Sequence, residues 1–378
     1  MDQQRLLAIA SRFALGAPVE TVEPLGSGNI NDTYLVHASN GARGVLQRIN
    51  TQVFPRPDLV MANLGVLSTH AAARQARLGR LPGDGRWELP RLIPCSSPGG
   101  AANDASDAPA GSSWLEDQGE AWRMLSFVAD SCCYDTVQSL DHAREVGRAL
   151  GRFHRLIDDL PPERLADTLE GFHMTPRYLA EYQRVLASSQ VPRCPESDHC
   201  RLFVDERLDL VPVLERARER GRLRLRPIHG DPKVNNVLLC SSTGCAVALV
   251  DLDTVKPGLL HYDIGDCLRS GCNPAGEETT DLAAVRFDLA ICRSMLEGYL
   301  AEARSCLSAA DLEHLYDAIR LLPFELGLRF FTDHLAGNVY FKVRHGRHNL
   351  ERALVQFRLT ESIEAQEGAI RSLIEELS

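Results

Sequence analysis

The chain has 378 residues, of which 44% are hydrophobic and 24% charged, and this is the composition of an ordinary globular protein. A chain of this length exceeds what one compact core usually organises, so we expect two domains or lobes. The formal net charge of −10 argues against a general partner for nucleic acid or for anionic membranes, because both would require a basic face.

The N-terminus and the cysteines both favour a cytoplasmic protein. Residues 1–15 lack the basic segment, the long apolar run and the small-residue cleavage site of a signal peptide. No stretch of the sequence approaches the roughly 20 apolar residues that span a bilayer. Among the eleven cysteines, the pairs Cys240/Cys245 and Cys267/Cys272 leave zinc ligation as an alternative, but we favour reduced thiols in a cytosolic protein.

Residues 1–127 are predicted to form a strand-rich lobe. Short apolar runs separated by glycine, serine and asparagine indicate consecutive antiparallel strands at 22–25, 33–37 and 44–49. A helical repeat of apolar residues follows from Asp58 to about Leu78. The stretch from about 95 to 120 is small, polar and rich in residues that break regular structure, so we expect a flexible surface insertion. Strand-like sequence resumes at 122–128.

From about residue 130 the sequence becomes predominantly helical. Apolar residues recur at helical spacing between Val146 and Ile157, and Thr175-Pro176 has the composition of a helix start. Helix-length amphipathic patterns cover 281–304, 311–331 and 347–376.

One β-like island interrupts this helical half. It consists of an apolar run from Pro227 to Leu239, a turn at 241–244 and a second run from Val247 to Leu252. The patterns together predict an α+β fold, with a small strand-rich lobe at 1–127 and a large helical lobe at 128–378 that contains one hairpin.

The island carries the residues that indicate chemistry. Asp231 precedes Asn236 by five residues, and Asp251 begins a turn after the second apolar run. Transfer of a phosphoryl group from ATP needs an acidic group beside the attacking hydroxyl and oxygen ligands for magnesium on the phosphates. A hairpin would return Asp251 close to Asn236, so that both could ligate one ion while Asp231 faces the substrate. Asp253 is expected near the metal or the substrate, without an assigned role.

This joint pattern resembles the aminoglycoside phosphotransferase and choline kinase superfamily, whose fold is that of protein kinases. The resemblance implies a kinase that uses ATP and Mg²⁺, with Asp231 as the catalytic aspartate and Asn236 and Asp251 as magnesium ligands. It also implies that His229 is a structural histidine of the loop and that Asp263 braces the catalytic loop.

Further motifs look like those of N-acetylhexosamine 1-kinases, and they extend over nearly the whole chain apart from the insertion. They lie at 45–50 with 53–55, 122–124, 172–176, 251–258 and 329–342. The resemblance implies phosphorylation of the anomeric hydroxyl of N-acetylglucosamine or N-acetylgalactosamine. It assigns Arg329, Tyr340 and Asp333 to the substrate site, where Arg329 and Tyr340 would contact sugar hydroxyls or the acetamido group. A structural ion pair between Arg329 and Asp333, one helical turn away, is the competing interpretation.

The nucleotide is expected in the strand-rich lobe. Small residues between the first two strands would let backbone amides approach the phosphates, and these are Gly26, Ser27, Gly28 and Asn29. Residues Met124 to Phe127 should form the interlobe hinge, where backbone groups would meet adenine.

The third strand departs from the pattern of these relatives. They normally carry a lysine there that grips the nucleotide phosphates and pairs with a helix glutamate. This sequence has Gln47-Arg48 on the strand and Met61-Ala62-Asn63 on the helix. Arg48 is the candidate substitute cation, although its planar fork differs from an ammonium.

Three other functions stay open at this point. The chain could phosphorylate a different hydroxyl compound, such as an amino alcohol or another sugar, although the quaternary ammonium of choline would favour an aromatic cage over Arg329. It could be a nucleotide-binding pseudoenzyme, against which the intact Asp231, Asn236 and Asp251 argue. A metal-dependent hydrolase is least favoured, since no clustered histidine ligands accompany the carboxylates.

Overall fold

The computed structural model describes residues 2–26, 30–78, 86–96 and 111–378. The chain forms two compact units. The first consists of residues 1–130 together with two short segments, 163–169 and 252–255, and the second consists of residues 131–162, 170–251 and 256–378. Among the described residues, no helix combines the length and the apolarity that crossing a bilayer requires.

The first unit is built on an antiparallel sheet. Its described strands lie in the spatial order β1-β2-β3-β6-β4, and β5 pairs with β6. The elements in chain order are α1 (Gln3–Ala10), β1 (Val19–Pro24), β2 (Asp32–Ala38), β3 (Arg43–Ile49), α2 (Pro57–Leu78), β4 (Leu92–Ile93), β5 (Leu115–Asp117) and β6 (Glu120–Ser126). The strands and the helix that the apolar pattern predicts in this part of the chain overlap β1, β2, β3, α2 and β6.

One face of this sheet forms a hydrophobic core. Val36, Leu46, Trp122 and Met124 are fully buried there, and they share a cluster with Ile9 of α1. Successive side chains of a strand point to opposite faces, so the residues between these positions lie on the other face of the sheet. The core therefore fixes which residues of β3 and β6 are left for the opposite, polar face.

The margins of the expected insertion are part of this fold. Cys95 and Leu115 are buried in the same core cluster, and Leu115 lies on β5. The carboxylate of Asp117 forms an ion pair with Arg5 at 2.7 Å. The expectation of a flexible segment over 95–120 was therefore too wide at both ends, and its central residues 97–110 lie outside the described residues.

The second unit is largely helical and contains two small antiparallel sheets. One sheet has the order β10-β9-β7, and the other pairs β11 with β8. The elements are β7 (Ser131–Cys132), α3 (Leu140–Ile157), α4 (Thr175–Ser188), α5 (Pro195–Asp205), α6 (Val213–Glu219), β8 (Arg226–Ile228), β9 (Val237–Cys240), β10 (Ala246–Leu249), β11 (Lys256–Gly258), α7 (Leu260–Gly271), α8 (Leu289–Ala303), α9 (Ala309–Glu313), α10 (Leu315–Leu335), α11 (His348–Glu364) and α12 (Glu367–Leu377).

Helix boundaries differ from the sequence expectation at three places. The pattern at 281–304 becomes helical only at Leu289, because the carboxylate of Asp288 accepts the backbone N–H groups of Ala290 and Ile291 and so caps the helix there. The pattern at 347–376 is divided between α11 and α12. Thr175 is the first residue of α4 rather than its cap, and its hydroxyl donates to Glu325 at 2.7 Å.

Glycines allow α3 and α8 to cross at very short range. A methyl group on Gly147 of α3 would collide with the carbonyl oxygen of Met295, and one on Gly298 of α8 would collide with the carbonyl oxygen of Arg144. Because both obstacles are backbone atoms, neither can move aside without shifting a helix.

We predict that Gly147→Ala destabilises the protein by roughly 1–3 kcal/mol, the range for overpacking a core. The matched control is Gly65→Ala on α2, because nothing lies within 4 Å of a methyl group there. That control should be neutral or stabilising by up to about 1 kcal/mol, since alanine is the better helix former. Urea unfolding measures both, and equal free energies of unfolding for the two variants would contradict the close crossing.

Candidate active site

The hairpin of β9 and β10 brings together the residues that the sequence singles out. Leu249 pairs with Val237 across the two strands, and the N–H of Val250 donates to the carbonyl of Asn236 at 2.9 Å. Asp251 therefore leaves the hairpin next to Asn236, as predicted from the alternation of apolar runs.

A buried carboxylate holds the loop that leads to Asp231. Asp263 on α7 is fully buried and accepts the backbone N–H groups of His229 at 2.7 Å and of Gly230 at 2.8 Å. His154 of α3 contacts the same carboxylate at 2.8 Å. These are the contacts that a brace of the loop requires, because they fix the backbone immediately before Asp231.

His229 completes the loop as a neutral ring. Its Nδ1 accepts the N–H of Asp231 at 3.2 Å, and its Nε2 donates to the carbonyl of Val250 at 2.9 Å. Burial lowers the pKa of His229, which agrees with one nitrogen accepting and the other donating. The ring of His229 thus connects the backbone of Val250 to the backbone of Asp231.

Asn236 and Asp251 offer oxygen atoms suited to a hard cation. The amide nitrogen of Asn236 donates to the carbonyl of Asp231 at 2.7 Å, which leaves Oδ1 as the ligand atom of this side chain. Asp251 has a left-handed backbone with φ of 63°, so the chain turns sharply at its carboxylate. A carboxylate and an amide oxygen on residues that the hairpin brings together fit Mg²⁺, which is usually held by few protein ligands plus phosphates and water.

Lys233 is a residue whose role the sequence pattern did not reveal. Its Nζ lies 2.9 Å from Oδ2 of Asp231, and Asp231 raises its pKa strongly, so it is a permanent cation. Burial raises the pKa of Asp231, although Lys233 opposes this shift. The sequence feature that could have indicated this role is the position of Lys233, two residues after Asp231 in the loop predicted to bind phosphates.

Arg329 on α10 lies among three aromatic rings. Its guanidinium carbon is 5.2 Å from the ring centre of Phe172, 5.0 Å from that of Tyr178 and 5.5 Å from that of Phe341. Burial opposes its charge, but Tyr178, Tyr340, Glu325 and Asp231 together raise its pKa. Arg329 is therefore a cation among aromatic rings, and Asp231 is one of the groups that stabilise its charge.

Asp333 does not pair with Arg329 in the described structure. Its buried carboxylate accepts three successive backbone N–H groups, from Val339 at 2.9 Å, Tyr340 at 2.8 Å and Phe341 at 3.0 Å. It also accepts the side-chain amide of Asn349 at 2.8 Å. The ion-pair interpretation was therefore wrong, and we assign Asp333 to holding the loop that presents Tyr340 rather than to the substrate itself.

The expected substitute cation on β3 is engaged elsewhere. Arg48 forms ion pairs with Asp32 and Glu120 on the neighbouring strands. Gln47 lies on the opposite face, where its Oε1 accepts two hydrogen bonds from Arg123 of β6, at 3.0 and 2.7 Å. The guanidinium beside Gln47 thus comes from β6 rather than from β3 itself.

Arg123 is paired with Asp253, which was expected near the metal or the substrate without an assigned role. The two side chains are 1% and 2% exposed, and Arg123 Nη2 lies 2.5 Å from Oδ1 of Asp253. Asn31 donates to the other carboxylate oxygen of Asp253 at 2.7 Å. The segment that directly follows Asp251 is therefore fastened by buried charge to the polar face of the sheet in the first unit.

Part of the predicted nucleotide contacts can be located. Gly26 has a left-handed backbone with φ of 70°, whereas Ser27, Gly28 and Asn29 lie outside the described residues. Met124 pairs with Leu46 on one side and with Ile93 on the other, so its backbone belongs to the sheet. Phe127 follows the last residue of β6, and its ring lies under Arg43, 4.4 Å from the guanidinium carbon. The hinge at Met124 to Phe127 stays a prediction.

The zinc alternative finds no support in the described part of the chain. No group of three or more histidine, cysteine, aspartate or glutamate residues there could hold a metal ion. All eleven cysteines are free thiols.

Solved structures share this fold over nearly the full length of both chains. An aminoglycoside phosphotransferase from Alicyclobacillus acidocaldarius matches with a TM-score of 0.63 and 14% identity, over 98% of this chain and 96% of that one. A microcompartment-associated aminopropanol kinase matches with 0.62 and 17%, over 97% and 99%. An amicoumacin kinase in complex with AMP-PNP and Ca²⁺ matches with 0.56 and 16%, over 97% and 94%. The protein-kinase-like α+β fold expected from the sequence is thereby confirmed.

The family itself is established by sequence. The model of the phosphotransferase enzyme family matches residues 21–293, which include the catalytic loop, the hairpin and Asp263. The chain belongs to the phosphotransferase enzyme family.

Proposed function

We propose that this phosphotransferase is a cytoplasmic N-acetylhexosamine 1-kinase, which transfers the γ-phosphoryl group of Mg²⁺-bound ATP to the anomeric hydroxyl of N-acetylglucosamine or N-acetylgalactosamine. At the coarser level it is a small-molecule kinase, as are the structural neighbours. The observation that carries the finer assignment is Arg329, a guanidinium lined by aromatic rings that has Asp231 among the groups stabilising its charge.

Asp231 would act on the acceptor hydroxyl. Its carboxylate is 27% exposed, and the contacts of His229 and Asp263 fix the loop behind it. It would orient the hydroxyl and accept its proton as the bond to phosphorus forms. Lys233, which is paired with Asp231 in this structure, would meet the transferred phosphoryl group and offset its charge.

Asn236 and Asp251 would hold the magnesium ion. Mg²⁺ would supply positive charge there, which would offset the charge that develops during transfer. The chain itself contributes the position of these two ligands, through the pairing of Val250 with Asn236.

Arg329 and Tyr340 would recognise the sugar. In the described chain no carboxylate lies within ion-pair distance of Arg329, so its N–H groups stay available for neutral oxygens such as hydroxyls or an acetamido carbonyl. Tyr340 is 48% exposed, and Asp333 holds its backbone in place. A pyranose ring presents both the polar edge and the apolar face that this combination of a guanidinium and aromatic rings would meet.

A kinase of amino alcohols is the second candidate, because the aminopropanol kinase is among the similar structures. An ammonium group is normally received by aromatic faces. Here the rings of Phe172, Tyr178 and Phe341 already surround Arg329, which would repel a second cation. This arrangement favours a neutral acceptor such as an N-acetylated sugar.

The experiment that tests the proposal is an acceptor panel of free hexoses, N-acetylhexosamines and amino alcohols with Mg²⁺ and ATP. Release of ADP identifies the acceptor, and phosphorus NMR of the product gives the position of the phosphate. We expect turnover with N-acetylhexosamines and a phosphate on the anomeric oxygen. Turnover with amino alcohols alone would overturn the assignment.

Asp231→Asn should lower turnover by about 10²–10⁴-fold, the range for a positioned acid–base group, while the KM for ATP changes little. The amide keeps the size of the side chain but cannot accept the proton. Asp141→Asn is the control, because that carboxylate is 95% exposed on α3. Near-normal turnover by a folded Asp231→Asn protein would contradict the catalytic role.

Asp251→Gly should abolish the strengthening of ATP binding by Mg²⁺. Glycine is chosen because it tolerates the φ of 63° at this position, so the carboxylate alone is lost. Calorimetric titration of ATP with and without Mg²⁺ measures the effect. A variant in which Mg²⁺ tightens ATP binding as much as in the wild type would show that Asp251 is not a ligand.

Tyr340→Phe should raise the KM for the N-acetylhexosamine about threefold to tenfold, because one hydrogen bond to a neutral hydroxyl contributes roughly 0.5–1.5 kcal/mol. Arg329→Ala should raise it further, while the KM for ATP barely moves. The matched control is Arg352→Ala: this arginine also lies over a ring, that of Phe330, but it is ion-paired with Glu278. The control should lower the melting temperature and leave the sugar KM unchanged, and the same result for Arg329→Ala would refute its recognition role.

A further inference from the structure

His173 lies in the short loop before α4, and its ring contacts the catalytic loop directly. The side chain is buried, with Nε2 2.7 Å from the carbonyl oxygen of Gly230 and Nδ1 2.8 Å from Oε1 of Glu325 on α10. Gly230 immediately precedes Asp231. No step of the proposed mechanism uses His173. Its side chain nevertheless holds the carbonyl of the peptide between Gly230 and Asp231.

The partners of the ring determine its protonation. A carbonyl oxygen only accepts, so Nε2 of His173 donates to Gly230. The other oxygen of the Glu325 carboxylate accepts the hydroxyl of Thr175 at 2.7 Å. With Glu325 ionised, Nδ1 of His173 donates to it, so both ring nitrogens carry protons and His173 is an imidazolium ion. His229, one residue before Gly230, is different, because one of its nitrogens accepts a backbone N–H.

Every group around the ring is consistent with a fixed cation. Glu325 faces it from α10, and Asp266 adds negative charge from α7. The ring of Tyr262, also on α7, is stacked on it with centres 5.4 Å apart, and the hydroxyl of Tyr178 on α4 accepts the backbone N–H of His173 at 3.4 Å. Burial opposes the charge, but Glu325, Asp266 and the carbonyl of Gly230 together outweigh it, and the pKa of His173 is raised.

The peptide between Gly230 and Asp231 is consequently held on both sides. Its carbonyl, that of Gly230, accepts from His173, and its N–H, that of Asp231, donates to Nδ1 of His229. Rotation of that peptide plane would swing the Cα–Cβ bond of Asp231 away from the acceptor. His173 itself has φ of 64°, a strained backbone for a residue other than glycine, so its placement is maintained against a local cost.

We propose that His173 is a positioning residue: as an imidazolium ion held by Glu325, it fixes the peptide plane between Gly230 and Asp231 and thereby aims the catalytic carboxylate. This proposal rests on the role of Asp231 in the proposed function. Because the pKa is raised, the imidazolium is complete below the ordinary histidine value and is lost only as the pH rises through the raised value. The turnover number should therefore fall on the alkaline side, whereas the KM values should not.

The first test is nitrogen-15 NMR of the wild-type protein with labelled histidine, which needs no variant to fold. We expect one histidine with both ring nitrogens protonated at pH 7.5, and its signal should be absent from His173→Gln. A neutral ring at position 173 at that pH would overturn the proposal.

The second test separates positioning from folding. Glu325→Gln keeps the size of the side chain and should move the alkaline fall in turnover to lower pH. His173→Gln should lower turnover about 10- to 100-fold, the effect of a small misplacement of a catalytic group, with both KM values within about twofold. His261→Gln is the control, because His261 is another buried histidine, with its Nε2 bonded to the carbonyl of Asp311 and its pKa lowered to about 4 by burial. It should change stability without changing turnover at permissive temperature.

Turnover is measured with N-acetylglucosamine and N-acetylgalactosamine, and with the slow hydrolysis of ATP if neither sugar reacts. Full turnover by His173→Gln, in an enzyme that Asp231→Asn inactivates, would overturn the positioning role alone. Full turnover by Asp231→Asn would instead overturn the proposed mechanism. An unchanged pH profile in Glu325→Gln would show that the charge on His173 is irrelevant to catalysis.

Discussion

The hydrogen bonds of the Asp263 carboxylate determine the conformation of the loop that leads to Asp231. The carboxylate is fully buried, and it receives two backbone N–H groups from the loop and the ring of His154 from α3. A buried charge is costly unless hydrogen bonds surround it, so the loop and the carboxylate stabilise each other. The helices of the same unit thereby fix the backbone before Asp231. The direction of the Asp231 side chain depends on that backbone.

The sequence was sufficient for the parts of the site that are close together in the chain. The five-residue spacing of Asp231 and Asn236, followed by two apolar runs with a turn between them, leaves a hairpin as the simplest structure, and the pairing of Val250 with Asn236 follows from it. The sequence also predicted a strand-rich part and a helical part, because the hydrophobic pattern changes from a period of 2 to a period of 3.6 near residue 130. Helix ends were less so: Asp288 acts as a cap only through its side-chain bonds, which the amphipathic pattern does not contain.

Contacts between distant segments could not be read in this way. Arg48 and Arg123 are both arginines on neighbouring strands, and only the register of β3 against β6 and the choice of core face decide which one meets Gln47 and Asp253. The same holds for Asp333, whose spacing from Arg329 fits a helical ion pair although its carboxylate is used by the following loop. For Arg329, the apolar residues around it in the sequence indicated an enclosed environment, which three aromatic rings supply, without indicating which residues form it.

The left-handed backbone at Asp251 and His173 has a consequence for the evolution of stability in this protein. Glycine would relieve the strain at either position, so the two side chains are retained at a cost of order 1 kcal/mol each. At position 173, however, glycine would leave the buried carboxylate of Glu325 without its imidazole partner, which costs more than the strain that it relieves. Selection for thermal stability alone would therefore drive only position 251 towards glycine. Libraries screened only for robust folding should lose Asp251 early, and the variants gained would be more stable proteins with a damaged active site.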